Sequence, residues 1–217
     1  MNILILGDSW GVPNYYGPPG VDAKYHTEFL LKDLGHTVYN CANNGGSNLA
    51  SFDSANSLLK SKPVKIDWIV WFHTESLRDR NLFDLNEKFY INEIIENSSK
   101  IIYQDFEKLR LTTKSKTFVV GGQAKLVDSF YQITGADYVI PDWRSSIFNR
   151  QFPLVHTLCH LDLIEKSSDS LEFKNNLLKD HETILDYMKQ SEHFPDNCHP
   201  GIQPHRELVE RIKALIV

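Results

Sequence analysis

Met1-Asn2-Ile3-Leu4-Ile5-Leu6-Gly7-Asp8-Ser9-Trp10-Gly11 opens the chain, and its reading decides the fold. The apolar run Ile3 to Leu6 ends abruptly in Gly-Asp-Ser, the pattern of a buried strand that delivers a serine into a turn at its C-terminal end. Open α/β sheets bind their ligands at that end of the strands. Near the other terminus, Asp196-Asn197-Cys198-His199-Pro200-Gly201 places an acid and an imidazole three residues apart on a Pro/Gly-rich loop. Ser9, Asp196 and His199 are thus candidates for the nucleophile, orienting acid and general base of a nucleophilic hydrolase.

Outward from the first strand, Val12 to Gly20 is too rich in Pro and Gly for regular structure and reads as a loop over the strand ends. Phe29, Leu30, Leu31 and Leu34 suit a helix stopped by Gly35, and a second strand follows over 36–40. Ser47 is placed to cap a helix running to Ser61. Asp67 to Phe72 is a near-continuous apolar run, expected to be a central strand covered on both faces. Ile91 to Leu109 keeps the period of one long helix, with a bend expected near Ser98-Ser99, and Lys116 to Val120 is a fourth strand. A short fifth strand over 136–140 precedes 141–168, which lacks a clear period and is read as an insertion. Amphipathic helices over 170–190 and from Pro204 onward close the chain, the last pinning the His199 loop. Strands alternating with helices predict an α/β fold with a parallel, doubly wound, five-stranded sheet in three α/β/α layers.

At 217 residues and 41% hydrophobic content, residues 1–217 are expected to form a single domain with one sizeable core. A net charge of -5 with no basic cluster argues against a nucleic-acid partner. Cys41, Cys159 and Cys198 are odd in number and lack Cys-x-x-Cys spacing, so a reducing compartment is expected. The first residues lack a basic segment and the apolar run is only a strand long. Neither a signal peptide nor a membrane span is expected, and the predicted location is cytoplasmic.

Several side chains admit more than one role. Gly7-Asp8-Ser9-Trp10-Gly11 also fits the Gly-x-Ser-x-Gly elbow of α/β-hydrolases, but only eight residues precede Ser9, too few for that fold's upstream strands and oxyanion loop. His156 and His160 have a metal-ligand spacing without the Glu a zincin needs, and no metal is assigned. Cys198 reads as a spacer and His193 and His205 as solvated loop histidines. Trp10, Tyr15, Tyr16 and Trp143 fall on predicted loops at the strand ends, where they could stack on a sugar or line an acyl pocket, whereas Trp68 and Trp71 read as core. Asp8 is expected to cap its own turn through its carboxylate.

The two terminal motifs resemble those of the SGNH, or GDSL-type, hydrolases. Gly7-Asp8-Ser9 matches the nucleophile block and Asp196-x-x-His199-Pro200 the acid/base block. Asn40-Cys41-Ala42-Asn43-Asn44-Gly45-Gly46-Ser47 matches more weakly the block whose glycine N–H serves the oxyanion hole. Where the family has Gly-x-Asn-Asp after the third strand, this chain has Phe72-His73-Thr74-Glu75, so the family's asparagine is absent. Gly-Asp-Ser-Trp, Gly-Gly-Ser-Asn and Thr-Glu-x-x-Arg together also look like divergent members carried by bacteriophages, which makes a virion or an infected cell a further expected location.

The resemblance implies a flavodoxin-like strand order 2-1-3-4-5 and a cofactor-free serine esterase acting on small acyl esters, with O-acetyl groups of a glycan as the leading substrate. It implies backbone donors at Ser9 and Gly45, with Gly46 as the alternative register. Thr74, or else His73, is expected to replace the missing asparagine, because an ionised Glu75 cannot donate and is expected to turn aside to Arg78 or Arg80. An acyltransferase with the same three residues, and a glycan-binding or structural module whose activity has decayed, are the alternatives.

Overall fold

The computed structural model describes residues 1–12, 26–79, 88–122, 124–150, 161–194 and 199–216. Five parallel strands form one sheet in the order β2-β1-β3-β4-β5, with β1 at Asn2–Gly7, β2 at Thr37–Asn40, β3 at Trp68–His73, β4 at Lys116–Gly121 and β5 at Tyr138–Ile140. The order reverses direction at β1, which lies between β2 and β3. A crevice at the C-terminal ends of β1 and β3 is where such sheets place a ligand. Ser9 follows the first of these strands and Thr74 the second.

The alternating side-chain directions of a strand divide the apolar residues of β1 between two faces. Ile3 and Ile5 enter one core with Trp68, Val70, Phe72, Phe118 and Val120. Leu4 and Leu6 enter the other with Ile69, Trp71 and Val119. The helices α1 (Thr27–Asp33), α7 (Leu171–Lys189) and α8 (Ile202–Ile216) cover the first face through Leu31, Ile184, Met188, Leu208, Val209 and Ile212. The second face is covered by α2 (Asn48–Ser61), α3 (Ile91–Thr113) and α4 (Ser129–Ile133), through Phe52, Ala55, Ile102, Tyr103, Phe106 and Phe130. Each such fully buried side chain contributes about 1.5–3 kcal/mol. The three-layer α/β/α expectation and the strand order are both met.

Two expectations about local structure need correction. The stretch 141–168, read as irregular, contains α5 (Trp143–Phe148) and α6 (Leu161–Lys166). Each has six residues, fewer than two turns, so neither is long enough to display a helical period. Asp142 caps α5 by accepting from the Ser145 N–H, and Leu163 and Ile164 of α6 pack on Ile91, Ile94 and Ile95 of α3. The long helix α3 has continuous helical assignment through Ser98-Ser99. Those serines face inward, and the Ser99 hydroxyl lies 2.6 Å from that of Ser76.

Candidate active site

The turn after β1 is built by Gly7 and Asp8. Gly7 has φ +124°, and a Cβ there would lie 2.1 Å from the Phe72 carbonyl oxygen, so only glycine lets β1 leave the sheet this close to β3. Asp8 then accepts the Trp10 N–H on Oδ1 at 3.0 Å, while its carbonyl accepts the Gly11 N–H at 2.9 Å. The expected turn-capping carboxylate is therefore present, and it leaves Ser9 at the apex. Ser9 is 7% exposed, and its Oγ lies 2.8 Å from Nε2 of His199, a residue 190 positions further along the chain. The candidate nucleophile and base are thus within hydrogen-bond reach. Asp196 lies outside the described residues, as do Tyr15, Tyr16, Arg80, His156, Cys159, His160 and Cys198.

The second wall is the turn after β2. The Asn43 N–H donates to Gly7 O at 3.0 Å, holding this segment against the end of β1. Gly45 adopts φ +64°, and the Gly46 N–H donates to Asn43 O at 2.9 Å. The Gly46 N–H is consequently committed to the turn. By contrast, the N–H groups of Ser9 and Gly45 have no acceptor among the described residues. Ser47 caps α2 as expected, accepting from the Ala50 N–H at 3.3 Å.

Beyond β3 lies a buried polar network. Asn48 takes the place of a strand neighbour for Thr74: its Oδ1 accepts the Thr74 N–H at 3.1 Å and its Nδ2 donates to Thr74 O at 3.1 Å. The same Oδ1 accepts from the Trp71 indole, and Asp79 accepts from both Asn48 Nδ2 and the Leu49 N–H. The Thr74 hydroxyl, expected to serve as an oxyanion donor, lies beside the Asp8 carboxylate and favours its charged form. Glu75 turns aside as expected and accepts from Arg78 Nε at 3.0 Å. Arg78 Nη1 then reaches both Asp8 Oδ2 at 3.4 Å and Gly46 O at 3.3 Å. One buried guanidinium thereby ties the glycine turn, the residue before Ser9 and the end of β3 together. Burial pushes the Asp8 carboxyl above its ordinary value, against the opposing pull of Arg78, the Trp10 N–H, Thr74 and His199.

Three other expected site residues lie elsewhere. His73 points into the core beside Trp71 and Tyr103 and donates from Nδ1 to Ala124 O at 3.3 Å. Trp10 is 1% exposed and turns beneath Ser9 to meet Trp143 edge-on at 5.6 Å and Phe194 at 6.1 Å. Trp143 is 3% exposed and packs on Phe72 as well. These two tryptophans are core residues beneath the site and offer no face to a sugar. His205, read as solvated, is buried in α8.

His73 gives the fold a pH dependence with a definite sign. Burial lowers its pKa to about 4, whereas an unfolded imidazole titrates near ~6.5. Between those values the unfolded chain binds the extra proton, so stability is full above ~6.5 and is lost as pH falls toward about 4. The loss from this ring is about 3 kcal/mol. Burial also raises the carboxyls of Asp8 and Asp79, so their early protonation opposes part of it. Urea midpoints measured from pH 7.5 to 4.5 are expected to fall, and His73→Phe to flatten the fall; an equal slope in the variant would contradict the assignment.

No family model and no curated protein matches the sequence. Among solved structures, the chain is similar to the psychrotrophic esterase EstA from Pseudoalteromonas sp., solved in a form inhibited by monoethylphosphonate. The two are 14% identical with a TM-score of 0.51 over 99% of this chain and 96% of that one. A lipase/acylhydrolase from Enterococcus faecalis (13% identity, TM-score 0.41, 99% and 94% covered) and the acetylxylan esterase Axe2 from Geobacillus stearothermophilus (13%, 0.40, 99% and 93%) are further structures of the same kind. The likeness to EstA, at this identity, is one of fold. The chain shares with EstA a fold of three α/β/α layers around one parallel sheet. Among the described residues, no helix is long and apolar enough to cross a membrane.

Proposed function

We propose that the chain is a serine esterase that hydrolyses small acyl esters through an acyl-enzyme on Ser9. The observation that carries this reading is the 2.8 Å approach of Ser9 Oγ to His199 Nε2, across 190 residues and at the crevice where the strand order reverses. His199 takes the hydroxyl proton as Ser9 attacks the ester carbonyl, then returns it to the departing alkoxide. Water, deprotonated by the same imidazole, releases the acid and restores Ser9. Asp196 is assigned the part of the acid that orients the imidazole, on the strength of the Asp-x-x-His spacing.

The tetrahedral oxyanion needs donors that are not already spent. The N–H groups of Ser9 and Gly45 meet that condition, whereas the Gly46 N–H does not. The proposed hole therefore rests on these two backbone donors, with Thr74 the candidate for a third and Arg78 fixing the glycine turn that carries one of them. The chemistry calls for no cofactor.

A nucleophile with only 7% of its surface exposed favours a slim acyl group. O-acetyl groups of a glycan remain the leading natural substrate, with recognition of the sugar falling to residues other than the buried Trp10 and Trp143. Initial rates on p-nitrophenyl esters from acetate to decanoate, alongside acetate release from an acetylated glycan, test the reading. The highest kcat/KM is expected for acetate, with a steady fall as the chain lengthens. Absence of ester turnover at every length would contradict the esterase reading, and a preference for decanoate would contradict the small-acyl assignment.

A further inference from the structure

Beside the Ser9–His199 pair, two more histidines meet although they lie 179 positions apart. The rings of His26 and His205 meet with centroids 4.2 Å apart, tilted by 43°. Each ring is fixed by its own hydrogen bonds. His26 caps α1 by accepting the Glu28 N–H on Nδ1, so its single neutral N–H is on Nε2, which donates to Trp10 O at 3.1 Å. His205 Nδ1 lies 2.9 Å from the hydroxyl of the buried Thr27, and the His205 backbone N–H donates to Gly201 O at 3.4 Å in the first turn of α8.

The backbone groups so held belong to particular residues. Trp10 follows Ser9, and Gly201 lies two positions after His199. From the nucleophile, the path runs through the Trp10 carbonyl to His26, across the ring contact to His205, and through the first turn of α8 at Gly201 back to the base loop. Trp143 closes the outer side of His205 edge-on at 5.4 Å. Burial keeps both rings neutral, His26 at about 4 and His205 well below the ordinary imidazole value, which suits them to remain single donors across the working pH range.

We propose that the His26–His205 pair is a positioning device that fixes the nucleophile turn and the base loop to one another and so sets the Ser9–His199 approach. Neither ring touches the reacting atoms; His26 acts through the Trp10 carbonyl and His205 through the first turn of α8. The proposal rests on the reading of Ser9 and His199 as nucleophile and base. A misplacement of about 1 Å at such a pair costs on the order of 10²-fold in rate.

The test compares wild type with His205→Phe, which keeps an aromatic ring against His26 but loses the hydrogen bond to Thr27, and with His205→Gln, which restores a polar partner for the Thr27 hydroxyl. His26→Phe and the double variant complete the set. On p-nitrophenyl acetate, kcat is expected to fall about 10²-fold in His205→Phe, with KM within twofold, and to recover in part in His205→Gln. The double variant is expected to lose much less than the product of the two single losses, because the rings act as one unit. Ring nitrogen-15 NMR of His199 provides a readout independent of turnover: its signals in His205→Phe are expected to move toward those of Ser9→Ala, where the Oγ partner is gone. A folded His205→Phe with wild-type kcat and unaltered His199 signals would overturn the proposal. Should His205→Phe fail to fold, His26→Phe with both readouts unaltered would do the same. If wild type shows no Ser9-dependent turnover, the esterase reading fails, and the NMR comparison still decides whether the pair positions His199.

Discussion

Ser9→Ala is expected to lower ester turnover by about 10⁴-fold or more, since the hydroxyl removed is the group that forms the covalent intermediate. The effect on stability is expected to be small. Oγ makes one hydrogen bond, to His199 Nε2, and the residue sits at the apex of a turn whose bonds are made by Asp8, Trp10 and Gly11. Loss of a single such bond costs about 1 kcal/mol. Parallel kcat/KM and urea-unfolding measurements separate the two effects. Retained turnover in a purified variant free of contaminating esterase would exclude Ser9 as the nucleophile.

Arg78→Met is expected to produce the largest change in stability. It keeps an unbranched, apolar stem but removes the guanidinium that faces Asp8, Glu75 and the Gly46 carbonyl. Asp8 and Glu75 are almost fully buried, at 0% and 1% exposure, so their carboxyl groups cannot turn to water instead. Breaking a buried ion pair from one side typically costs about 3–5 kcal/mol. Turnover of the folded fraction should also fall, because the Gly45–Gly46 turn loses its tie to Asp8. Arg78→Lys keeps the charge but lacks the fork that spans Glu75 and Gly46, and is expected to recover only part of the stability. A urea-derived stability within about 0.5 kcal/mol of wild type, the range of an ordinary surface substitution, would show that the network does not depend on this cation.

The features legible in the sequence were those carried by local pattern. The run Ile3 to Leu6 and the strand over Asp67 to Phe72 declare themselves by continuous apolar character, and a parallel sheet follows from alternating strands and helices, whereas its order was implied by the family resemblance of the terminal motifs. Asp8 as a turn cap, Ser47 as a helix cap and the turning of Glu75 toward Arg78 were all read from residues within a few positions of one another. The pairing of Ser9 with His199 was legible only because each sits in a recognisable short motif. What the sequence concealed was the direction in which loop side chains point. Trp10 follows a predicted turn and Trp143 begins a helix of six residues, and neither a turn nor so short a helix has a period to distinguish a ring that faces solvent from one that turns under the site. Thr74 was read by donor chemistry alone, and its placement beside Asp8, 66 residues earlier, depends on the register of β1 against β3. His26 and His205 carry no shared local signal; their meeting follows from the packing of α1 against α8. The only cue was the position of His205 in the second turn of an amphipathic helix, where burial was more consistent with the pattern than solvation.

The most direct test of the central claim is the site of covalent modification. A fluorophosphonate ester captures an activated serine as a stable tetrahedral adduct, and peptide mapping by mass spectrometry locates it. The account predicts stoichiometric labelling on the peptide that carries Ser9, lost in both Ser9→Ala and His199→Ala; labelling at another residue, or an unmodified Ser9 in protein that turns over esters, would contradict it.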